Sequence, residues 1–270
     1  MKNKPPRYIA NVFGTVLAMA FSLNANAAVD LGTDNASASA YSAGWTNGSD
    51  GFITGEGAFG QWFLGGASAP NSGFVISNVT TLGTPSTALN SSGVSFGMFA
   101  STNAPSYVDA YRFLDPSGLG AGQTFSIQMA VNYRNGNKGF DLRGDTVGDP
   151  TIFNFNIGSD DYVVNNAATG NGSIGNSYSD DTLFTLAFTQ VDLTGGTWSI
   201  TRSGGVSDFD TGTYSGVARS FKLYVGGTDN LDGQNYFFVN NLETVPEPST
   251  YALLVGAGLA GWLYRRRRHR

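Results

Sequence analysis

The chain has 270 residues, of which 37 are Gly, one is His, none is Cys and only 13% are charged. This is the composition of a strand-and-turn protein, and it excludes thiolate chemistry, Cys-ligated metals and disulfide stapling. The formal net charge of −5 hides an asymmetry, because Lys2, Lys4 and Arg7 sit at one end and five arginines at the other. The intervening body is therefore strongly acidic and repels nucleic acid.

Residues 1–27 read as a secretory signal peptide. Lys2, Lys4 and Arg7 form a basic start, Ile9 to Phe21 an apolar run, and Ala25-Asn26-Ala27 the small residues that signal peptidase requires. Cleavage is expected after Ala27. Residues 28–72 are rich in Gly, Ser, Ala and Asn with scattered aromatics, a loop-heavy pattern with one or two short strands. Within it, Tyr41, Trp45 and Asn47 combine aromatic faces with an amide, the make-up of a glycan contact if they are exposed, and of loop packing if they are not.

From residue 73 strand signals recur. GFVISNVT (73–80), VSFGMFA (94–100) and YVDAYRFL (107–114) are short apolar runs, the last closed by Asp115-Pro116-Ser117-Gly118. In QTFSIQMAVNY (123–133), Phe125, Ile127, Met129, Val131 and Tyr133 fall on one face in strict alternation. Asn135-Gly136-Asn137 predicts a hairpin turn, with KGFDLRG (138–144) as the returning partner. TIFNFNIG (151–158) is expected to pair with DYVVN (161–165), and 166–180 to be loop. LFTLAFTQVDL (183–193) and TWSITRSG (197–204) form a second predicted hairpin around Gly195-Gly196, with Trp198 inward. SFKLYVGG (220–227) and NYFFVNNLET (235–244) complete the set. Nine to twelve strands without a helix of useful length between 28 and 245 predict an all-β antiparallel sandwich, of jelly-roll or immunoglobulin-like type.

Catalytic signatures are sparse. The sole His, His269, lies in the tail, so a Ser-His-Asp triad or a His-ligated zinc site in the body is excluded. No cofactor is expected. Acidic residues punctuate predicted loops: Asp141, Asp145 and Asp149 in one, Asp229 and Asp232 in another, with further pairs at Asp160-Asp161, Asp180-Asp181 and Asp208/Asp210. The first two groups could supply oxygens to Ca²⁺, although neither has EF-hand spacing and Asp also favours solvated turns.

The C-terminus reads VPEPSTYALLVGAGLAGWLYRRRRHR. Pro246-Glu247-Pro248 stops the last strand and leaves an extended segment accessible to a protease. Tyr251–Tyr264 is apolar but, at about 21 Å as a helix, marginal for a ~30 Å hydrocarbon core. Gly256, Gly258 and Gly261 allow close helix packing, and Arg265, Arg266, Arg267 and Arg268 fix that end in the cytoplasm. These elements, over 245–270, resemble the PEP-CTERM sorting signal of Gram-negative bacteria. The resemblance implies recognition by exosortase, an intramembrane cysteine protease, and a transient stage in the inner membrane. Release to the cell surface or the extracellular space would follow, in cells that make exopolysaccharide and biofilm matrix. The layout from YRFLDPSGLGAGQTFSIQM through NGNKGFDLRGD to YFFVNNLE resembles concanavalin A-like jelly rolls. Glycosidases of that type carry Glu-x-Asp-x-x-Glu, which Glu56, Glu243 and Glu247 do not form.

The expected organisation is a signal peptide (1–27), a β-sandwich domain (28–245) and a sorting tail (246–270) with a short transmembrane helix at 251–264. The expected role is a non-enzymatic matrix or adhesion protein. The alternatives are a glycan-binding or glycan-cleaving jelly roll and, further off, an ice-binding protein, for which regular Thr arrays are missing from the sequence.

Overall fold

The structure is a computed structural model that describes residues 32–51, 59–82, 87–101, 103, 107–114, 117–131, 133–144, 150–158, 162–166, 170–174, 179, 182–228, 236–246 and 265. The signal peptide with Ala25 and Ala27, and the apolar tail segment 251–264, lie outside the described residues. So do Glu247, Pro248 and Arg266–Arg268. Among the described residues no helix is long and apolar enough to cross a membrane.

Among the described residues, fifteen strands form two antiparallel sheets. They are β1 (Gly32–Asp34), β2 (Phe63–Gly65), β3 (Ser72–Ser77), β4 (Ser95–Ala100), β5 (Val108–Phe113), β6 (Gln123–Val131), β7 (Asn137–Arg143) and β8 (Thr151–Asn156). They continue as β9 (Val163–Asn166), β10 (Gly170–Ser173), β11 (Leu183–Asp192), β12 (Gly195–Ser203), β13 (Asp208–Ser215), β14 (Ser220–Gly226) and β15 (Tyr236–Pro246). One sheet runs β13-β12-β11-β6-β15-β4-β3, with β1 also on β15. The other runs β10-β9-β8-β7-β14-β5-β2.

The predicted alternation sets the facing of the strands. Phe125, Ile127, Met129 and Val131 of β6 point inward, as do Phe153 and Phe155 of β8. Tyr133 lies past the end of β6 and is 42% exposed. Phe125 and Phe188 from one sheet interleave with Phe140 and Phe221 from the other as near-parallel rings, the Phe140–Phe188 centroids being 5.2 Å apart. Rings facing each other across two sheets keep the layers close-packed without any covalent staple.

Several expectations need correction. Residues 123–133 and 138–144 do not form a hairpin. β6 pairs with β11 and β15, whereas β7 pairs with β8 and β14 in the other sheet, so Asn135-Gly136-Asn137 is a crossover between layers. Gly136 makes this tight bend at φ +63, with its Cα facing the Gly226 carbonyl so closely that a Cβ would sit 2.5 Å from it. The β11–β12 hairpin is real, but its turn is Leu193-Thr194, and Gly195 and Gly196 already belong to β12. Asp192 closes that turn by accepting from the Thr194 N–H and hydroxyl. Asp208 and Asp210 lie in a strand, β13, and the 166–180 loop contains β10. Both strands are polar edge strands, which lack the apolar face that marks a strand in sequence.

The 28–72 region is more than loop. Its aromatics enter the open side of the sandwich, where Trp45 packs on Trp62, Phe74 and Phe96 at 4.9–5.2 Å, and Trp62 reaches Phe221. Beneath this plug lies a buried polar network. Arg112 pairs with buried Asp34 through one nitrogen and with Asp50 at 2.8 Å through another, and its Nε donates to the Gly60 carbonyl. Its guanidinium sits 4.9 Å from both the Phe59 and Trp62 ring centroids. The Tyr41 hydroxyl donates to Asp34 and accepts from the Trp62 indole N–H.

Candidate functional site

Two places join chemistry-bearing residues: the outer face of the seven-stranded sheet, and the end of the sandwich where the chain leaves for its tail. The predicted glycan contact is neither. Tyr41 and Trp45 are 3% and 4% exposed, so neither ring can stack on a sugar, and only Asn47 is exposed. Its Oδ1 accepts from the Leu64 N–H and anchors β2.

The outer sheet face follows from register. On β5, β14, β7, β8 and β9, the residues Tyr111, Lys222, Asp141, Asn154 and Asn165 stand directly opposite one another. Phe63 of β2 extends the row at one end. At about 4.8 Å per strand this is an unbroken line of aromatics, cation, carboxylate and amides about 24 Å long. A parallel row places Gly65, Asp109, Tyr224, Gly139 and Asn156 beside it.

Hydrogen bonds fix these side chains. Lys222 Nζ lies 3.0 Å from Asp141 Oδ2 and 5.2 Å from the Tyr224 ring centroid. Asn154 Nδ2 donates to Asp141 Oδ1 at 2.7 Å and to the Tyr224 hydroxyl at 2.8 Å, while Asn165 donates to Asn154 Oδ1. Gly139 is required here, since a Cβ would meet the Tyr224 hydroxyl and the Phe155 carbonyl. Arg143 lies over Tyr111 at the flank. Burial raises the Asp109 carboxyl, with nearby Lys222 pulling it down and Asp141 pushing it up, and its Oδ1 is buried without a partner. Burial also raises the Tyr224 phenol, so it stays neutral while it accepts from Asn154.

Asp141, a candidate calcium ligand in the sequence, is engaged within this row. Both its oxygens are spent on Lys222 and Asn154, and an ammonium already supplies the positive charge. Asp145, Asp149, Asp229 and Asp232 lie outside the described residues. Among the described residues no three acidic or His side chains gather as a metal site.

A different outer face answers the missing Thr arrays. On the eight-stranded sheet, Thr124, Thr189, Thr197 and Thr213 from four strands form one row, and Ser126, Ala187, Ser199 and Thr211 the next. These threonines are far apart in the sequence, and register alone brings them together.

At the end of the sandwich, Pro246 closes β15 opposite Gln123, so the chain leaves the sheet at a defined point. Arg265 is exposed.

Residues 244–268 match the PEP-CTERM protein-sorting motif. No curated protein matches the chain in sequence. Among solved structures, the chain is similar to the Caenorhabditis elegans galectin LEC-6, at 16% identity over 55% of this chain and 95% of that one, with a TM-score of 0.34. It is similar to the T. cruzi calreticulin globular domain, at 7% identity over 72% and 87%, with a TM-score of 0.43. It is also similar to the lumenal domain of VIP36 in its Ca²⁺/Man3GlcNAc-bound form, at 8% identity over 69% and 86%, with a TM-score of 0.39. The chain is thus an all-β sandwich whose last strand runs directly into a PEP-CTERM protein-sorting motif.

Proposed function

We propose that this is an exported protein that an exosortase-type protease cuts near Pro246-Glu247-Pro248 and passes from the inner membrane to the cell surface or matrix. There it acts as a non-enzymatic adhesion or matrix component that contacts exopolysaccharide. The observation that carries this reading is the continuity of fold and motif: the match begins at Thr244, inside β15, and the strand ends at Pro246. A cut beyond Pro246 therefore leaves every described pairing of β15 in place. Comparison of cell fractions with and without the protease tests it. Shortened protein at the surface is expected in the first, and tailed protein retained in the membrane in the second. The same full-length protein in both would sink the idea.

The glycan contact is assigned to the outer face of the seven-stranded sheet. A row of amides, a carboxylate and an ammonium at regular steps suits the hydroxyls of a sugar chain lying across the strands, and Tyr111 and Phe63 offer rings to its apolar faces. The surface-released protein is to be screened on a glycan array beside Lys222→Met, which is expected to lose binding. A second reading, glycan cleavage, is favoured by Asp109, whose carboxyl is raised by burial and which shares this outer face with a second carboxyl, Asp141, one strand beyond β14. Release of reducing ends, lost in Asp109→Asn, would establish it over simple binding.

A further inference from the structure

We infer that the end of the sandwich carrying Pro246 is a membrane-facing surface, and that the Val191–Leu193 hairpin tip inserts into the lipid interface while the tail is attached. This rests on the reading of residues 251–264 as a membrane segment.

Chain length holds this end of the sandwich close to the bilayer. Only Glu247, Pro248, Ser249 and Thr250 separate Pro246 from the apolar run that begins at Tyr251. Even fully extended, that link spans about 18 Å, so the end of β15 cannot stand far from the bilayer. The register then decides which loops share that end. Pro246 faces Gln123 at the start of β6, and Thr124 faces Thr189 near the end of β11. The β11–β12 turn, the loop at 117–122 and the start of β14 therefore lie at the tail's exit. The nine residues of β6 put the opposite end about 30 Å further off.

This end also displays apolar side chains. Leu193 is 74% exposed and Val191 56%, and Val245 is exposed beside the exit. A register shift between Gln190 and Asp192 leaves Val191 bulged out of the ladder. The tip is not slack. Buried Gln190 braces it, donating to the carbonyls of Asp192, Gly195 and Gly216 while its Oε1 accepts from the Tyr214 hydroxyl and the Ala218 N–H. A rigid turn that points Leu193 outward at the end from which the tail leaves is suited to partition into the interface.

Behind the tip lies a cavity of about 290 Å³, with Leu119, Asp192, Leu193, Val217 and Arg219 among its lining. Among the described residues the Arg219 guanidinium has no hydrogen bond or ion pair, whereas Asp192 is held by Thr194. A cation beside an exposed Leu offers a phospholipid phosphate a charge-assisted partner where acyl chains begin.

The chain has no Cys, so single-Cys variants can be labelled at one position each. Full-length protein carrying an environment-sensitive fluorophore at Leu193→Cys, Ser207→Cys at the far end, or Leu253→Cys in the tail is to be placed in phosphatidylethanolamine/phosphatidylglycerol vesicles. Brominated acyl chains are expected to quench the Leu193 and Leu253 labels and to leave the Ser207 label bright. Arg219→Gln is expected to weaken quenching at Leu193 and to leave Leu253 unchanged. Quenching at Leu253 with a fully aqueous Leu193 overturns the inference and leaves the tail reading intact. Loss of quenching at Leu253 overturns both. Quenching at Leu193 only when the protease is co-reconstituted would assign the surface to that protein and overturn the lipid contact.

Discussion

At the residue scale, the most consequential side chain is Arg112. Val108, Ala110 and Arg112 alternate inward along β5, so the strand pattern already sends this cation into the core. Its partners are not local, since Asp34 and Asp50 are 78 and 62 residues away. Arg112→Met would leave Asp34 buried with no counter-charge. The expected cost is about 3–5 kcal/mol, read as a lower urea midpoint with an unchanged slope. The double variant Asp34→Asn/Arg112→Met should recover most of that loss, because it removes the stranded charge rather than the packing. The same network hid the fate of Tyr41 and Trp45. Composition advertised them as sugar-stacking groups, but nothing in the neighbouring residues reveals that Asp34 and Phe96, which receive them, lie on other strands. Buried phenols give a further expectation. Tyr41, Tyr162, Tyr214 and Tyr224 are all pushed above the ordinary value near 10, chiefly by burial. The folded state thus keeps protons that the unfolded state releases. Their contribution to stability is fully present below about pH 10 and falls as the pH rises beyond it, by about 1.4 kcal/mol per unit for each phenol still protonated. Tyrosinate absorbance should show these phenols ionising together with unfolding rather than before it. Ionisation at ordinary pH in a folded chain would contradict the burial assigned to them.

At the element scale, legibility tracked the apolar alternation. β6, β8, β11 and β12 were readable because one face is Phe, Ile, Leu, Met or Trp at every second residue. β10 and β13 were not, because edge strands of Gly, Asn, Thr and Asp carry no such face. Partnering was less legible than existence. Asn-Gly-Asn marks a turn, but a turn does not say whether the chain returns in the same layer or crosses to the other, and here it crosses. The row formed by Tyr111, Lys222, Asp141, Asn154 and Asn165 was therefore out of reach of the sequence, although each member sits in a segment recognised as a strand or loop. β15 shows how strongly one polar residue can fix an element. Asn240 is fully buried, accepts from the Ala36 N–H and donates to the carbonyls of Leu89 and Val94. It lies at the register shift in the pairing with β6, where the other edge of β15 passes from β4 to β1. Asn240→Ala would orphan those buried groups at about 1–3 kcal/mol for the set's weakest member onward. Calorimetry should show a lower melting temperature, and a larger drop than for Asn241→Gly, which loses hydrogen bonds to Ser91 and Gln128 but relieves the positive φ of +52. Equal effects of the two substitutions would refute this account of the bulge.

At the scale of the whole molecule, the first and last described strands meet. Gly32, Thr33 and Asp34 pair with Thr244, Glu243 and Leu242, and β15 also lies between β6 and β4. The eight-stranded sheet cannot close until the residues just ahead of the sorting motif are in place. That makes this strand a check on completeness, since a chain lacking it has neither the β1–β15 clasp nor one of the two partners of β6. Loop-closure entropy over such a separation predicts slow folding, on the ms–s scale of sandwiches dominated by non-local pairs. It also predicts a sharp boundary for truncation. A chain ending at Pro246 retains every pairing of β15 and should resist protease as well as the full-length body does. A chain ending at Asn240 loses the pairing of Glu243, Thr244 and Val245 with β6 and the pairing with β1, removes the buried Leu242 from the core and uncovers Phe125. It should be cut rapidly under the same conditions, with an early break near the 35–51 plug that β1 normally holds down. Equal resistance of the two chains would mean that the last turn of the sheet is dispensable. The match between the end of the fold and the start of the sorting motif would then have no mechanical meaning.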